Sequence, residues 1–352
     1  MKTSNKLLKM IIVTMILTLL VGCSTPATPP LSTVEPIPPA ETITVIPPTD
    51  SPTPTETLVP TPAPQLWVRK QRMPTARFGL TTSVVDGMIY AIGGKGGLTV
   101  VEEYDPITDS WTRKADMPTG RGWITSSVLD GKIYVMGGNT KEWGTSLATV
   151  EMYDPSTDTW TKKADMTTPR DWLASTVING KIYAMGGDVL SGNVGDVTTL
   201  SSVEEYDPET DTWTLITDMR RIRRAFSAVV VDNKIYAIGS FSPYEEMYEP
   251  GSAAWVKVSG MPKPRMGAAV SVVDGKIYVF GGEDEKQGPP TSVVYKYDPA
   301  ADSWTTLSDM PYEAFYMSSS VVDGKIYIFG GSENVYPHPA PHLSAVWEYS
   351  PD

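Results

Sequence analysis

Residues 130–138 read DGKIYVMGG, and the chain writes close copies of the same nine residues at five other places. DGMIYAIGG begins at Asp86, NGKIYAMGG at Asn179, DNKIYAIGS at Asp232, DGKIYVFGG at Asp274 and DGKIYIFGG at Asp323. Six copies of one text predict six copies of one structural unit, and a repeat constrains the architecture before any other feature is weighed. Asp-Gly or Asn-Gly between apolar runs is a strong hairpin signal, because a two-residue type I′ turn needs positive φ at both positions. Asp232-Asn233 fits the same turn, since asparagine also tolerates that region.

Working outward, Trp67, Trp111, Trp160, Trp213, Trp255 and Trp304 each stand 23 residues before the tyrosine of an Ile-Tyr pair. Tyr104, Tyr153, Tyr206, Tyr248 and Tyr297, in Tyr-Asp/Glu-Pro, each stand 7 residues before the next tryptophan. VEEYDP and SWTRK, joined through Pro-Ile-Thr-Asp, form a second hairpin with proline where a type I turn accepts it. Each unit therefore supplies four short antiparallel strands, a to d. Strand b, IYVMGG, is apolar at every position rather than at alternate ones, which fits a small sheet pressed between two neighbours. Four-stranded sheets stacked face to face in a ring are the blades of a β-propeller.

The paired glycines, the tyrosine and the tryptophan at set spacing resemble the kelch repeat, and the resemblance covers residues 66–352. It implies an all-β, six-bladed kelch propeller. Ser240 for the second glycine and Glu249 for aspartate are its departures. The last unit reaches Tyr349 and ends before a tryptophan could follow, whereas Trp67 has no Tyr-Asp-Pro before it. The strand near Trp67, LWVRK, is thus expected to complete the final blade and leave no free edge. Trp347 aligns with Glu102 in strand c and is no seventh repeat residue.

Ahead of the repeats, Lys2, Lys6 and Lys9 precede an apolar run, Met10 to Val21, too short to span a bilayer comfortably. The run ends in Leu-Val-Gly-Cys, similar to the lipobox of bacterial lipoproteins. That resemblance implies a signal peptide over 1–22, lipidation of Cys23, and an extracytoplasmic, membrane-anchored protein at a cell surface or in a periplasm. Cys23 is the single cysteine, so lipidation would consume the thiol and leave no disulfide or thiolate. Residues 24–65 are rich in proline and threonine and contain no lysine or arginine. With Cys23 they read as a disordered linker, able to extend by about 3.1 Å per residue. The formal net charge is -12, which repels nucleic acid on average. The one short basic patch in the repeats is Arg220 to Arg224.

From the second glycine of each pair, or Ser240, to the next tyrosine the steps are 10, 15, 19, 8, 15 and 18. All the length variation therefore falls in b–c loops, which share one face with the d–a connections around the mouth of the central channel. Variable loops on a rigid scaffold are where recognition usually resides. Ten residues after each tryptophan stand Arg77, Arg121, Arg170, Arg223 and Arg265, with Ala314 in the last unit. They admit two readings: hydrogen bonds to loop carbonyls of a neighbouring blade, or a cationic ring suited to carboxylates of a peptide or acidic sugar. Two residues further lie Trp123, Trp172 and Tyr316, either packing between blades or offering stacking platforms. Trp143 and Tyr336 in the longer loops add candidate contacts.

His338 and His342 are the only histidines and sit in a Pro-rich loop, so metal binding and general-base chemistry are poorly supplied. No cofactor is implied. The kelch-type copper oxidases share the expected fold but need a cysteine-tyrosine link that this chain cannot make. The expected function is non-catalytic recognition of a protein, peptide or glycan. The alternative is a sugar mutarotase or isomerase, resembling the six-bladed periplasmic kelch sialic acid mutarotases.

Overall fold

The computed structural model describes residues 66–141, 144–192, 196–284, 288–333 and 342–351. The signal-peptide, Cys23 and linker readings fall outside these residues, as do Trp143, Tyr336 and His338. Six four-stranded antiparallel sheets follow one another in sequence order. Blade 1 is Thr81–Val85, Met88–Ile92, Val101–Asp105 and Ser110–Arg113; blade 2 is Thr125–Leu129, Lys132–Met136, Val150–Asp154 and Thr159–Lys162. Blade 3 is Ala174–Ile178, Lys181–Met185, Val203–Asp207 and Thr212–Leu215; blade 4 is Phe226–Val231, Lys234–Gly239, Glu245–Tyr248 and Val256–Val258. Blade 5 is Ala269–Val273, Lys276–Phe280, Val294–Asp298 and Ser303–Leu307. Blade 6 takes Ser318–Val322, Lys325–Phe329 and Val346–Tyr349 from the end of the chain and Trp67–Arg69 from the start of the repeats. An additional hairpin, Asp188–Leu190 with Val197–Thr199, stands in the b–c loop of blade 3.

The a–b turns have the predicted geometry, with Asp86 at φ 51 and Gly87 at φ 78, and Asp232 at 49 and Asn233 at 58. Successive residues of a strand face opposite sides of its sheet, and strand b uses both. Ile89 and Ala91 pack toward blade 6, Tyr90 and Ile92 toward blade 2. Six apolar clusters result, one at each junction between neighbouring blades, including that of blade 6 with blade 1. Each fully buried side chain of this kind contributes roughly 1.5–3 kcal/mol. Every strand a also touches strand a of the blade before and after, so these strands enclose the axis.

The tryptophan ruler has a structural cause. The indole N–H of Trp111 donates to the Gln71 carbonyl, and the Gln71 N–H donates to Asp109, two residues before that tryptophan. The Tyr104 hydroxyl donates to the same Asp109 oxygen at 2.6 Å. Trp160 with Asp158 grips Ala115 in this way, Trp213 with Asp211 grips Ala164, and Trp304 with Asp302 grips Ser259. Each grip ties one blade to the residue leaving strand d of the blade before it. The closing strand pairs as expected, Trp67 opposite Tyr349 and Arg69 opposite Trp347.

Candidate functional site

The d–a connections end in a closed ring of backbone hydrogen bonds around the axis. The N–H of Trp123 donates to Gly79, Trp172 to Trp123, Ala225 to Trp172, Gly267 to Ala225, Tyr316 to Gly267 and Gly79 to Tyr316, at 2.6–3.2 Å. All six residues have positive φ, from 46 at Ala225 to 66 at Gly267. The left-handed region costs glycine nothing, but for a bulky side chain it is an outlier. Trp123, Trp172 and Tyr316 adopt it at φ 57, 57 and 56.

Their three rings meet over the channel. Trp123 and Trp172 stack at 4.0 Å, and Tyr316 sets its edge against them at 5.0 and 4.8 Å. The small collar residues make this possible: a Cβ on Gly79 would lie 2.8 Å from the Trp123 ring, and one on Gly267 would lie 2.5 Å from the Tyr316 ring. All three rings are half-buried. Beneath them lies a cavity of about 200 Å³ lined by the a strands. Its wall carries the hydroxyls of Thr81, Thr82, Thr125, Ser175, Ser227 and Ser318, with Thr82 bonded to Ser318 and Thr125 to Ser175. Ala228, Val229 and Val270 line the blade 4 and 5 side.

The arginines stand behind this collar, each no more than 2% exposed. Arg77 donates to the Ala91 and Val100 carbonyls and to Glu102 at 2.7 Å. Arg121 meets the Val135 carbonyl and Glu151; Arg170 the Gly186 and Ser202 carbonyls and Glu204. Arg223 meets the Gly239 and Tyr244 carbonyls with Glu245 and Glu246. The carbonyls belong to the arginine's own blade, not to a neighbouring one as expected, because strand b ends directly beside the start of strand a. Sequence reasoning missed the glutamates. Glu102, Glu151, Glu204 and Glu246 each lie two residues before the strand c tyrosine, and that repeated spacing was the available signal. Blade 6 has Ala314 and Trp347 at the two positions, so it lacks both charges. Burial lowers the Arg77 pKa to about 10, with Glu102 opposing the shift.

Two carboxyls flank the collar. Burial pushes Asp171 up to about 7, with Asp188 adding repulsion and the Asn139 amide opposing. Burial also pushes Glu283 up to about 7, against the attraction of Arg224. A carboxyl whose folded pKa is raised gives its full stabilisation below its unfolded value and loses it as pH rises through the folded one. At the acid end, hydrogen bonds from Tyr153 and Tyr206 hold Asp158 and Asp211 low. Their contribution is present above an unfolded value of about 4 and disappears as pH falls through the folded one. Thermal melts should therefore show greatest stability near pH 5 and a decline toward pH 8. Glu283→Gln should flatten that decline; an unaltered slope in this variant would contradict the assignment.

These repeats match family descriptions along most of their length. The KLHDC2/KLHL20/DRC7 Kelch-repeats domain matches residues 65–240, and the Kelch motif matches 264–311 and 314–352. No curated protein sequence matches the chain. A solved structure titled "Structure of YjhT" superposes with a TM-score of 0.68 at 16% identity, over 80% of this chain and 97% of that one. At that identity the likeness is one of fold. With tyrosine and tryptophan each given a place in a six-bladed ring, the chain belongs to the kelch-repeat family.

Proposed function

We propose that the chain is a recognition propeller that binds a protein, peptide or glycan on the face carrying its b–c and d–a loops. Lipidated Cys23 would hold it to the membrane outside the cytoplasm, and the linker would give it reach. The observation that carries this reading is the left-handed backbone of Trp123, Trp172 and Tyr316. Such strain costs on the order of 1–3 kcal/mol per residue and clusters at functional sites. Glycine or alanine occupies the same position in three blades, so the scaffold itself does not require the large rings. A half-buried aromatic surface on a rigid collar suits stacking with a sugar face or an apolar peptide side chain.

A second reading draws on Glu283. A carboxyl near neutral pKa, attracted by Arg224, can exchange a proton, as the opening of a sugar hemiacetal requires. This supports a mutarotase or isomerase at the same mouth.

Residues 66–352 can be screened against glycans and peptides, with Trp172→Ala as the comparison. Ala225 holds the equivalent collar position, so this variant should fold. Binding at least about tenfold weaker is expected from the lost aromatic contact. Equal binding would return the rings to packing alone. Anomer exchange of a bound sugar, lost in Glu283→Gln, would favour the mutarotase instead.

A further inference from the structure

The aromatic roof over the central cavity is incomplete on one side. A Cβ on Gly79 would meet the Trp123 ring and one on Gly267 the Tyr316 ring, so these large side chains lean over the collar residue of the blade before their own. Trp172 likewise stacks on Trp123. Gly79 brings no ring over blade 6, but Phe78 stands 5.5 Å from Trp123 and 6.4 Å from Tyr316 and fills that sector. Ala225 and Gly267 are neighbours in the collar, and between them the collar offers no ring over blades 3 and 4. Blade 4 also has the shortest b–c connection, 8 steps from Ser240 to Tyr248.

Beneath that opening one hydroxyl is left over. Side chains pair across blade junctions in a fixed pattern, Thr81 with Ser126, Thr125 with Ser175, and Ser318 with Thr82. Ser227 holds the position of Thr81, Thr125 and Ser318 in blade 4, but the residue that should face it from blade 5 is Val270, which neither donates nor accepts. Ser227 lines the cavity, is half-buried, and makes no side-chain hydrogen bond among the described residues. Every other serine or threonine of the lining is bonded to a neighbour. No Asp, Glu, Lys, Arg or His stands among the lining residues.

We propose that this cavity takes one neutral sugar ring, admitted beside Ala225 and hydrogen-bonded by Ser227. An ionised ligand would give up its hydration with no counter-charge in the wall, a cost that a neutral molecule avoids. The wall combines hydroxyls with an apolar stretch at Ala228, Val229 and Val270, and a pyranose combines a rim of hydroxyls with an apolar C–H face that also suits the aromatic roof. Size limits the number of rings. A cavity of about 150 Å³ accepts benzene, so one of about 200 Å³ holds a single six-membered ring with its substituents. The proposal deepens the recognition reading and rests on it for the aromatic collar: it selects a neutral sugar, free or at the end of a glycan, and carries it below the rings into the channel.

Titration of the full chain with D-glucose, D-galactose and D-mannose, read by tryptophan fluorescence and calorimetry, tests this. At least one should bind, and the uronate of that sugar, with a carboxylate in place of its hydroxymethyl group, should bind at least about tenfold more weakly. Ser227→Ala should weaken the neutral sugar about fivefold, the effect of one hydrogen bond. Ala225→Trp, a side chain that blades 2 and 3 carry at this position, should close the opening and weaken binding at least about tenfold. Circular dichroism checks that both variants fold, and Ser227→Ala decides the matter if Ala225→Trp does not. A disaccharide ending in the same sugar separates the sources: tighter binding than the free sugar assigns the end of a glycan, weaker binding the monosaccharide. Failure of all three sugars to bind, tighter binding of the uronate, or unchanged binding in Ser227→Ala would overturn the proposal. A peptide or glycan whose binding is lost only in Trp172→Ala would then still support the collar, so the two readings fail separately.

Discussion

Glu151→Leu is expected to destabilise the propeller by about 3–5 kcal/mol, because it leaves the Arg121 guanidinium buried without its counter-charge. Arg121 is fully buried and its Nη1 bonds the Glu151 carboxylate directly. Arg121→Met should cost a similar amount by stranding the glutamate. The double variant Arg121→Met/Glu151→Leu should cost clearly less than either single change, since replacing both charges by apolar groups removes the desolvation of each. The chain itself contains such a replacement: blade 6 has Ala314 and Trp347 where the other blades begin with an arginine and, in four cases, pair it with glutamate. Urea denaturation of the three variants measures the coupling. A double variant as unstable as the singles would mean that the arginine acts mainly through the strand b carbonyls.

Removing residues 66–72 should have the other large effect, above about 4 kcal/mol and with loss of a single cooperative transition. The segment contributes Trp67, which packs at 4.7 Å from Tyr349 and 5.8 Å from Phe280, so it joins blade 6 to blade 5. It also contributes the Lys70 N–H that bonds Val346 and the Gln71 backbone gripped by Trp111 and Asp109 of blade 1. Without it, strand c of blade 6 becomes an exposed edge able to pair with another chain. Thermal melts with size-exclusion chromatography test this. A truncated protein that remained monomeric and melted as the intact one does would show that the ring needs no closing strand.

Strand count, turn type and the closure through Trp67 were legible in the sequence because each is written in local spacing. Asp-Gly fixes its own turn, strand b shows its two buried faces in its own residues, and a missing final tryptophan identifies its partner at the start of the repeats. Periodicity also marked Arg77, Arg121, Arg170, Arg223 and Arg265, and Trp123, Trp172 and Tyr316, as equivalent. It could not say what equivalent residues touch. That Glu102 faces Arg77 across 25 positions depends on the register of three strands. That Trp123, Trp172 and Tyr316 converge depends on blades 2, 3 and 6 being brought around one axis. Equal spacing along a chain establishes likeness between units, whereas contact between them arises only when the ring closes and sets distant side chains within bonding distance.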